Sequence, residues 1–225
     1  MRALLSLLLI ACPALAPAKA PVCEPLVIAV EDDAEPWSKR DGTGFANDVV
    51  LAAFKAAGVT VTLQVLPYAR CRDYVLRGKV AAGFSMSWLP EYKGQLAFSD
   101  APLFVCNEEL FFNRTKPLRA VRASDLPQGT VVGVVIGYEY PPEIMALRAK
   151  GTLAFEEAES EDLNLKKLKL GRIDAALINT NETKPAGLML LQAGAVPPAG
   201  SPPILVHGFR IGELKSYIGF SLKHP

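Results

Sequence analysis

The sequence predicts an α/β protein made of two small lobes, each a parallel sheet flanked by helices. Three observations predict it. From Leu26 to Met86, strand-like apolar runs alternate with helix-like segments across short loops, the pattern of a parallel sheet with right-handed crossovers. After a polar, proline-containing link the same pattern starts again near Thr130. A final apolar stretch, from Ile204 to Leu222, is long enough to return to the first lobe as two short strands. The expected division is 21–113 with 208–225 for one lobe and 114–207 for the other.

The elements follow in order. Leu26 to Val30 is an apolar run that breaks into Glu31, Asp32 and Asp33, a buried strand ending in a polar loop. Asp48 is placed to cap a helix, with Val49, Val50, Ala53, Phe54 and Ala57 at helical spacing before Gly58. Val59, Val61, Leu63 and Val65 alternate as a second strand, Pro67 opens a helix over Tyr68 to Arg77, and Val80 to Met86 is a third strand. Asn107 to Asn113 is a further strand at the end of the first lobe's segment, and the second lobe takes a strand at Thr130 to Ile136, helices at Pro141 to Lys150 and Glu161 to Leu170, and a strand ending at Asn179. Ligands in open parallel sheets lie beyond the carboxyl ends of the strands. Two such sheets facing each other place both sets of ends in one cleft, closed by a hinge.

Bulk properties narrow the setting. Met1 and Arg2, an apolar run from Ala3 to Ala11, and small residues at Ala14, Ala16, Ala18 and Ala20 have the layout of a secretory leader over 1–20. Pro13 and Pro17 interrupt the run before it reaches the ~20 residues of a membrane span. A looser lipobox ends at Cys12. Removing the leader leaves roughly 200 residues, enough for one large domain or two small ones. With 24 Lys and Arg against 23 Asp and Glu, nothing suggests a nucleic-acid partner. The cysteines Cys23, Cys71 and Cys106 lack C-x-x-C spacing, and His207 and His224 are the only histidines; no metal site is expected. An oxidising compartment permits one disulfide. Cys71 and Cys106, both near the cleft mouth, are the favoured pair, with Cys23 at the opposite pole.

A set of short stations runs through the chain: Glu35-Pro36-Trp37, Gly44-Phe45 with Asp48, Pro67-Tyr68-Ala69-Arg70, Gly78-Lys79, Ser85-Met86-Ser87, Phe98-Ser99-Asp100 with Pro102, and Gly171-Arg172-Ile173-Asp174-Ala175. In this order and spacing they resemble the bacterial extracellular solute-binding proteins of family 3. The resemblance implies a type II periplasmic binding protein fold with an interlobe ligand cleft, in a periplasmic monomer that passes a small molecule to the membrane component of an ABC transporter, without a cofactor. By position it places Asp162 where the family holds a ligand amino group with a carboxylate. Two departures stand out. Tyr92 occupies the position of an arginine that grips a ligand carboxylate as a fork, and Glu139 replaces a common second-lobe threonine. The sequence also stops at Pro225, where family members continue with a helix packed on the first lobe.

The candidate binding residues are Glu31, Trp37, Tyr68, Arg70, Ser85, Ser87, Tyr92, Glu139, Asp162 and Asn179. Trp37 and Tyr68 offer aromatic faces past the strand ends, or are ordinary buried aromatics. Tyr68, at a helix mouth, is expected to be less buried than a core ring. Ser85 and Ser87 offer hydroxyls at the end of the third strand, or cap a turn. Arg70 and Lys93 are the candidates to replace the missing cation, and free N–H groups at Gly137 to Tyr140 suit an anionic group. Glu31, Asp32, Asp33, Glu35, Glu139 and Asp162, with no matched arginine, suggest an acidic cleft drawing a cationic or hydrogen-bond-donating ligand. The rival function is an enzyme on the same fold, such as a dehydratase of a small cyclic acid, in which Glu31, Glu139 or Asp162 serves as acid or base. A detached sensory module is a third. The sequence offers no triad or metal cluster for catalysis, so a non-catalytic binding role leads.

Overall fold

The computed structural model describes residues 24–195 and 200–225; the leader and Cys23 lie outside them. β1 (Leu26–Glu31) is buried at its last four residues and lies between β4 (Val61–Leu66) and β5 (Ala82–Ser87), parallel to both. Its unbroken apolar run suits a strand covered on both faces. The small hairpin β2 (Asp33–Ala34) and β3 (Ser38–Lys39) precedes α1 (Phe45–Ala56), and α2 (Tyr68–Leu76) joins β4 to β5. Gly44, not Asp48, sits at the N-cap of α1; Asp48 lies in the first turn. Only glycine serves at Gly44, with φ at +141° and an added Cβ falling 2.3 Å from the Trp37 carbonyl oxygen.

A single 3₁₀ turn (Pro90–Tyr92) and the short β6 (Leu96–Phe98) lead to β7 (Phe104–Asn113). The second half then runs β8 (Thr130–Val135), α3 (Pro142–Ala149), β9 (Leu153–Ala158), α4 (Glu161–Lys169), β10 (Ala175–Thr180), α5 (Ala186–Gln192) and β11 (Leu205–Ser221). Here β8 pairs in parallel with both β9 and β10, as β1 does with β4 and β5. β9 and α5 escape a periodicity reading for different reasons. β9 is an edge strand whose Glu156 and Glu157 break the apolar run, the usual protection of an exposed edge. α5, AGLMLLQ, has no polar face from which to read a helical stripe.

Two expectations about the sheet are corrected. The returning tail is one strand of 17 residues, not two short ones. The lobes also share a sheet instead of holding two separate ones, in the order β4-β1-β5-β11-β7-β10-β8-β9. β7 and β11 pair antiparallel from Phe104–Ser216 to Asn113–Leu205 and run through both halves. β11 gains an extra residue against β7 between His207 and Phe209 and another between Arg210 and Gly212, bulges that bend and twist a strand.

The cores stay separate. One half packs Ile28, Val30, Val50, Phe84 and Ile218, with Val75 and Met86 on the other sheet face. The other packs Leu110, Val132, Ile144 and Leu177, with Phe111, Leu165, Ile178 and Leu205 opposite.

Ser160 caps α4, its hydroxyl accepting from the Leu163 N–H at 3.2 Å. Removing that acceptor with Ser160→Ala should cost about 1 kcal/mol, a fall of roughly 2–4 °C in midpoint by calorimetry for a chain of this size. An unchanged midpoint would mean water replaces the cap at no cost.

Candidate functional site

The carboxyl ends of the parallel strands from both halves meet in one cleft. From the first half come Glu31 at the end of β1, Trp37 after β2, Tyr68 at the start of α2, and Ser85 and Ser87 at the end of β5. From the second come Tyr138 and Glu139 after β8, Glu161 at the start of α4, Asn179 late in β10, and Lys184 before α5. Together they enclose a cavity of about 60 Å³, room for a few waters.

Hydrogen bonds close the halves on each other. The Tyr68 hydroxyl donates to Glu139 Oε2 at 2.5 Å, Tyr92 to Glu139 Oε1 at 2.6 Å, and Tyr138 to Glu31 Oε1 at 2.5 Å. Arg72 Nη1 donates to the Gly137 carbonyl at 2.9 Å. Gly137 touches α2 so closely that an added Cβ would lie 2.8 Å from the Ala69 Cα, and its φ of +84° also favours glycine. A second tie lies inside the second half, where Lys184 Nζ donates to Glu161 Oε2 at 2.7 Å and Asn179 N–H to Oε1 at 2.6 Å.

Burial dominates the electrostatics. Desolvation raises Glu31 to about 8, against the lowering effects of the Tyr138 hydrogen bond and the Lys184 charge. It also raises Glu139, although the Tyr68 and Tyr92 hydroxyls favour the carboxylate. Burial works to lower Lys184, but the Glu161 charge and hydrogen bond outweigh it and the ammonium is held more firmly than in water. Glu108, on β7, is 0 % exposed, neither carboxyl oxygen is in hydrogen-bond geometry with a described residue, and desolvation pushes it well above the ordinary range against a lowering effect of the nearby Asn179. Two donors in the cavity wall are also buried without a partner among the described residues: the Trp37 indole N–H and the Ser85 hydroxyl.

Ser85 owes its place to a backbone irregularity. β5 carries one extra residue opposite β11 between Met86 and Gly83, and Ser85 takes φ +65° there. Non-glycine residues rarely adopt this conformation. Bulges re-aim side chains in this way, and here the serine lines the cavity.

Of the ten residues singled out from the sequence, the cavity wall brings together Glu31, Trp37, Tyr68, Ser85, Ser87, Glu139 and Asn179. Tyr92 stands behind the wall as a partner of Glu139. The two departures from the family pattern, Tyr92 and Glu139, are thus bonded to each other. Arg70 and Asp162 lie outside the cavity wall. Arg70 is exposed on α2, because residues two apart on a helix lie on opposite sides; Arg72 is the one that faces the other lobe. Asp162 is a surface residue paired with Lys166 at 2.5 Å, while its neighbour Glu161 is buried. Tyr68 is 4 % exposed, more buried than a helix mouth suggested, because Glu139 and the edge-on Tyr138 ring cover it. The loop from Gly137 to Tyr140 presents a phenol and a carboxylate to the cleft instead of an anion-binding nest.

The Cys71–Cys106 disulfide is also corrected: both thiols are free. Cys71 donates to the Leu66 carbonyl at 3.3 Å, and Cys106 accepts from Asn181 at 3.6 Å. Burial raises both to about 12, so neither is a reactive thiolate. Sequence reasoning missed Arg72, Tyr138, Glu161 and Lys184. For Lys184 a signal existed in Asn181-Glu182-Thr183-Lys184-Pro185, an Asx turn whose Asn181 Oδ1 accepts from the N–H groups of Thr183 and Lys184.

No family model matches the sequence, and no curated protein matches it. Solved structures do, and their fold is that of the type II periplasmic binding proteins, an α/β architecture of two lobes with an interlobe cleft. A histidine kinase sensor domain with similarity to periplasmic binding proteins matches at a TM-score of 0.71 and 18% identity, over 88% of this chain and 82% of that one. A mutant of arginine-bound ArgBP from T. maritima matches at 0.68 and 19%, over 88% of each. The GluR0 ligand-binding core from Nostoc punctiforme in complex with (L)-glutamate matches at 0.66 and 20%, over 89% and 87%. At these identities the likeness is one of fold, and function must be argued from the site.

Proposed function

We infer that this chain is a solute-binding protein that captures a small polar molecule between its lobes and delivers it to the membrane component of an ABC importer. The observation that carries this reading is the cavity between the lobes at the strand ends, walled by carboxyl groups and aromatic rings, with two buried donors that have no partner among the described residues. A buried donor without a partner costs about 1–3 kcal/mol, so a ligand acceptor that reaches Trp37 and Ser85 recovers that energy. Glu161 disfavours a ligand carboxylate and favours an amino or other cationic group, whose charge would also draw the buried Glu31 and Glu139 toward their ionised forms. The solved structures support the reading: an amino acid ABC transporter substrate-binding protein from Streptococcus pneumoniae, bound to L-arginine, shares the fold at 19% identity and a TM-score of 0.65. Export by the leader to the periplasm, and action as a monomer, belong to the same proposal. No described helix is long and apolar enough to cross a membrane.

The sensor-domain likeness favours a second reading, in which the same closure signals instead of delivering. A thermal-shift screen of amines, amino acids and dicarboxylates tests the binding role. A ligand present at 100 times its Kd should stabilise the protein by about 2.7 kcal/mol and be recovered unchanged after incubation. Consumption of the hit would make the protein an enzyme. Tight binding of a dicarboxylate, undiminished in Glu139→Gln, would overturn the choice of ligand.

A further inference from the structure

Beside the cavity lies a groove of about 350 Å³, lined in part by Asp33, Glu35, Ser160, Asp162 and Gln192. Glu161 and Lys184 line both spaces, so their ion pair forms part of the partition between them. The side chains are 7 % and 17 % exposed. Among the described residues four acidic side chains and one basic one, Lys184, line the groove, with Lys166 paired to Asp162 beside it. On the inner side the Glu31 carboxyl is buried with, among the described residues, only the Tyr138 hydroxyl bonded to its side chain, and the Trp37 and Ser85 donors, likewise without a described partner, line the same wall.

We propose that the cavity and the groove are two halves of one site for an elongated ligand with amino groups at both ends, an aliphatic diamine or a longer polyamine, and that Lys184 plugs the passage between them. This rests on the binding role proposed above and names its ligand class. Lys184 already does what the ligand's inner ammonium would do: a primary ammonium on a flexible aliphatic stem, bonded to Glu161 and lining the same cavity as Glu31. A ligand ammonium that takes over Glu161 releases Lys184 toward the groove, and the ligand's chain runs through the gap. Its other ammonium then faces Asp33, Glu35 and Asp162. One cation replaces another at the buried carboxylate, so Glu161 is never left unpaired, which would be costly. The turn that carries Lys184 is set by Asn181 independently of the lysine side chain, so the side chain can leave without unmaking its support.

Isothermal titration of 1,4-diaminobutane, n-butylamine and L-arginine into the purified protein, Lys184→Met and Lys184→Arg tests this. Lys184→Met should bind the diamine at least 10-fold more tightly than the wild type, and Lys184→Arg should not. Adding Asp33→Asn and Asp162→Asn to Lys184→Met should remove at least 5-fold of diamine affinity while leaving n-butylamine unchanged, because only the second ammonium reaches the groove. Lys184→Gln serves in the same way if Lys184→Met does not fold, as judged by circular dichroism. Equal or weaker diamine binding in the folded Lys184 variants would overturn the plug and, if the wild type still binds an amine or L-arginine, leave the solute-binding role standing. If no protein in the set binds any of the three compounds, the diamine proposal falls, and the solute-binding role is judged by the wider thermal-shift screen.

Discussion

Replacing Glu139 with alanine is expected to open the cleft without unfolding the protein. Tyr68 and Tyr92 both donate to this one carboxyl group across the lobe boundary. Without it two buried hydroxyls lose their acceptor, each worth about 1–3 kcal/mol when left unsatisfied. The lobes can escape that cost by separating, because the hydroxyls then reach water and neither core is breached. Small-angle scattering should therefore show a larger radius of gyration, while the core of each lobe keeps its protection in hydrogen exchange. Glu139→Gln retains one acceptor oxygen and should lie between the two states. A radius for Glu139→Ala equal to that of the wild type would show that other contacts hold the lobes together.

Stability is expected to fall as pH rises from about 5 to 8, with Glu31 the main cause. Its carboxyl titrates at about 8 in the folded, closed protein against 4.5 when solvated. Between those values the folded state holds a proton that the unfolded state has released. Each pH unit in that window then costs about 1.4 kcal/mol. The contribution is fully present below 4.5 and is lost as pH rises through 8. The groups acting on Glu31 are Tyr138 and Lys184, which lower it, and Glu161 and Asp33, which raise it. Glu139 and Glu108 are shifted upward too and add slope of the same sign. Urea unfolding of the wild type and Glu31→Gln at pH 5, 6, 7 and 8 measures the effect: the variant should show a distinctly flatter profile. Parallel profiles would remove Glu31 from the explanation.

The two-lobed plan was legible because repeated strand-helix-strand spacing is a local signal, and topology alone places residues at strand ends. Glu31, Ser85 and Asn179, candidates from such positions, and Glu139, a candidate as a departure from the family pattern, all line the cavity. Choosing between neighbours on a helix was harder. Arg70 and Arg72, or Asp162 and Glu161, differ only in which side of α2 or α4 meets the other lobe, and that angle depends on packing between segments far apart in the chain. Lys184 escaped because it reaches the cavity from a turn, and turn residues carry no periodicity. The shared sheet was hidden for a similar reason. A strand of 17 residues interrupted by two bulges loses its alternation twice, so Leu205 to Ser221 reads as fragments.

The ribbon of β7 and β11 determines how the lobes can move. Both chain crossings between the cores lie in these two strands, and they are bonded to each other along most of their length. Sliding one lobe past the other would break that ladder, and pulling them apart would stretch covalent backbone. Bending across the ribbon and twisting along it are the deformations left, and the β11 bulges soften both. The lobes are therefore confined to a narrow arc, much like the arms of a pair of sugar tongs. Occupancy at the centre becomes a fixed angle between surfaces far from the cleft, which a partner could sense without touching the ligand.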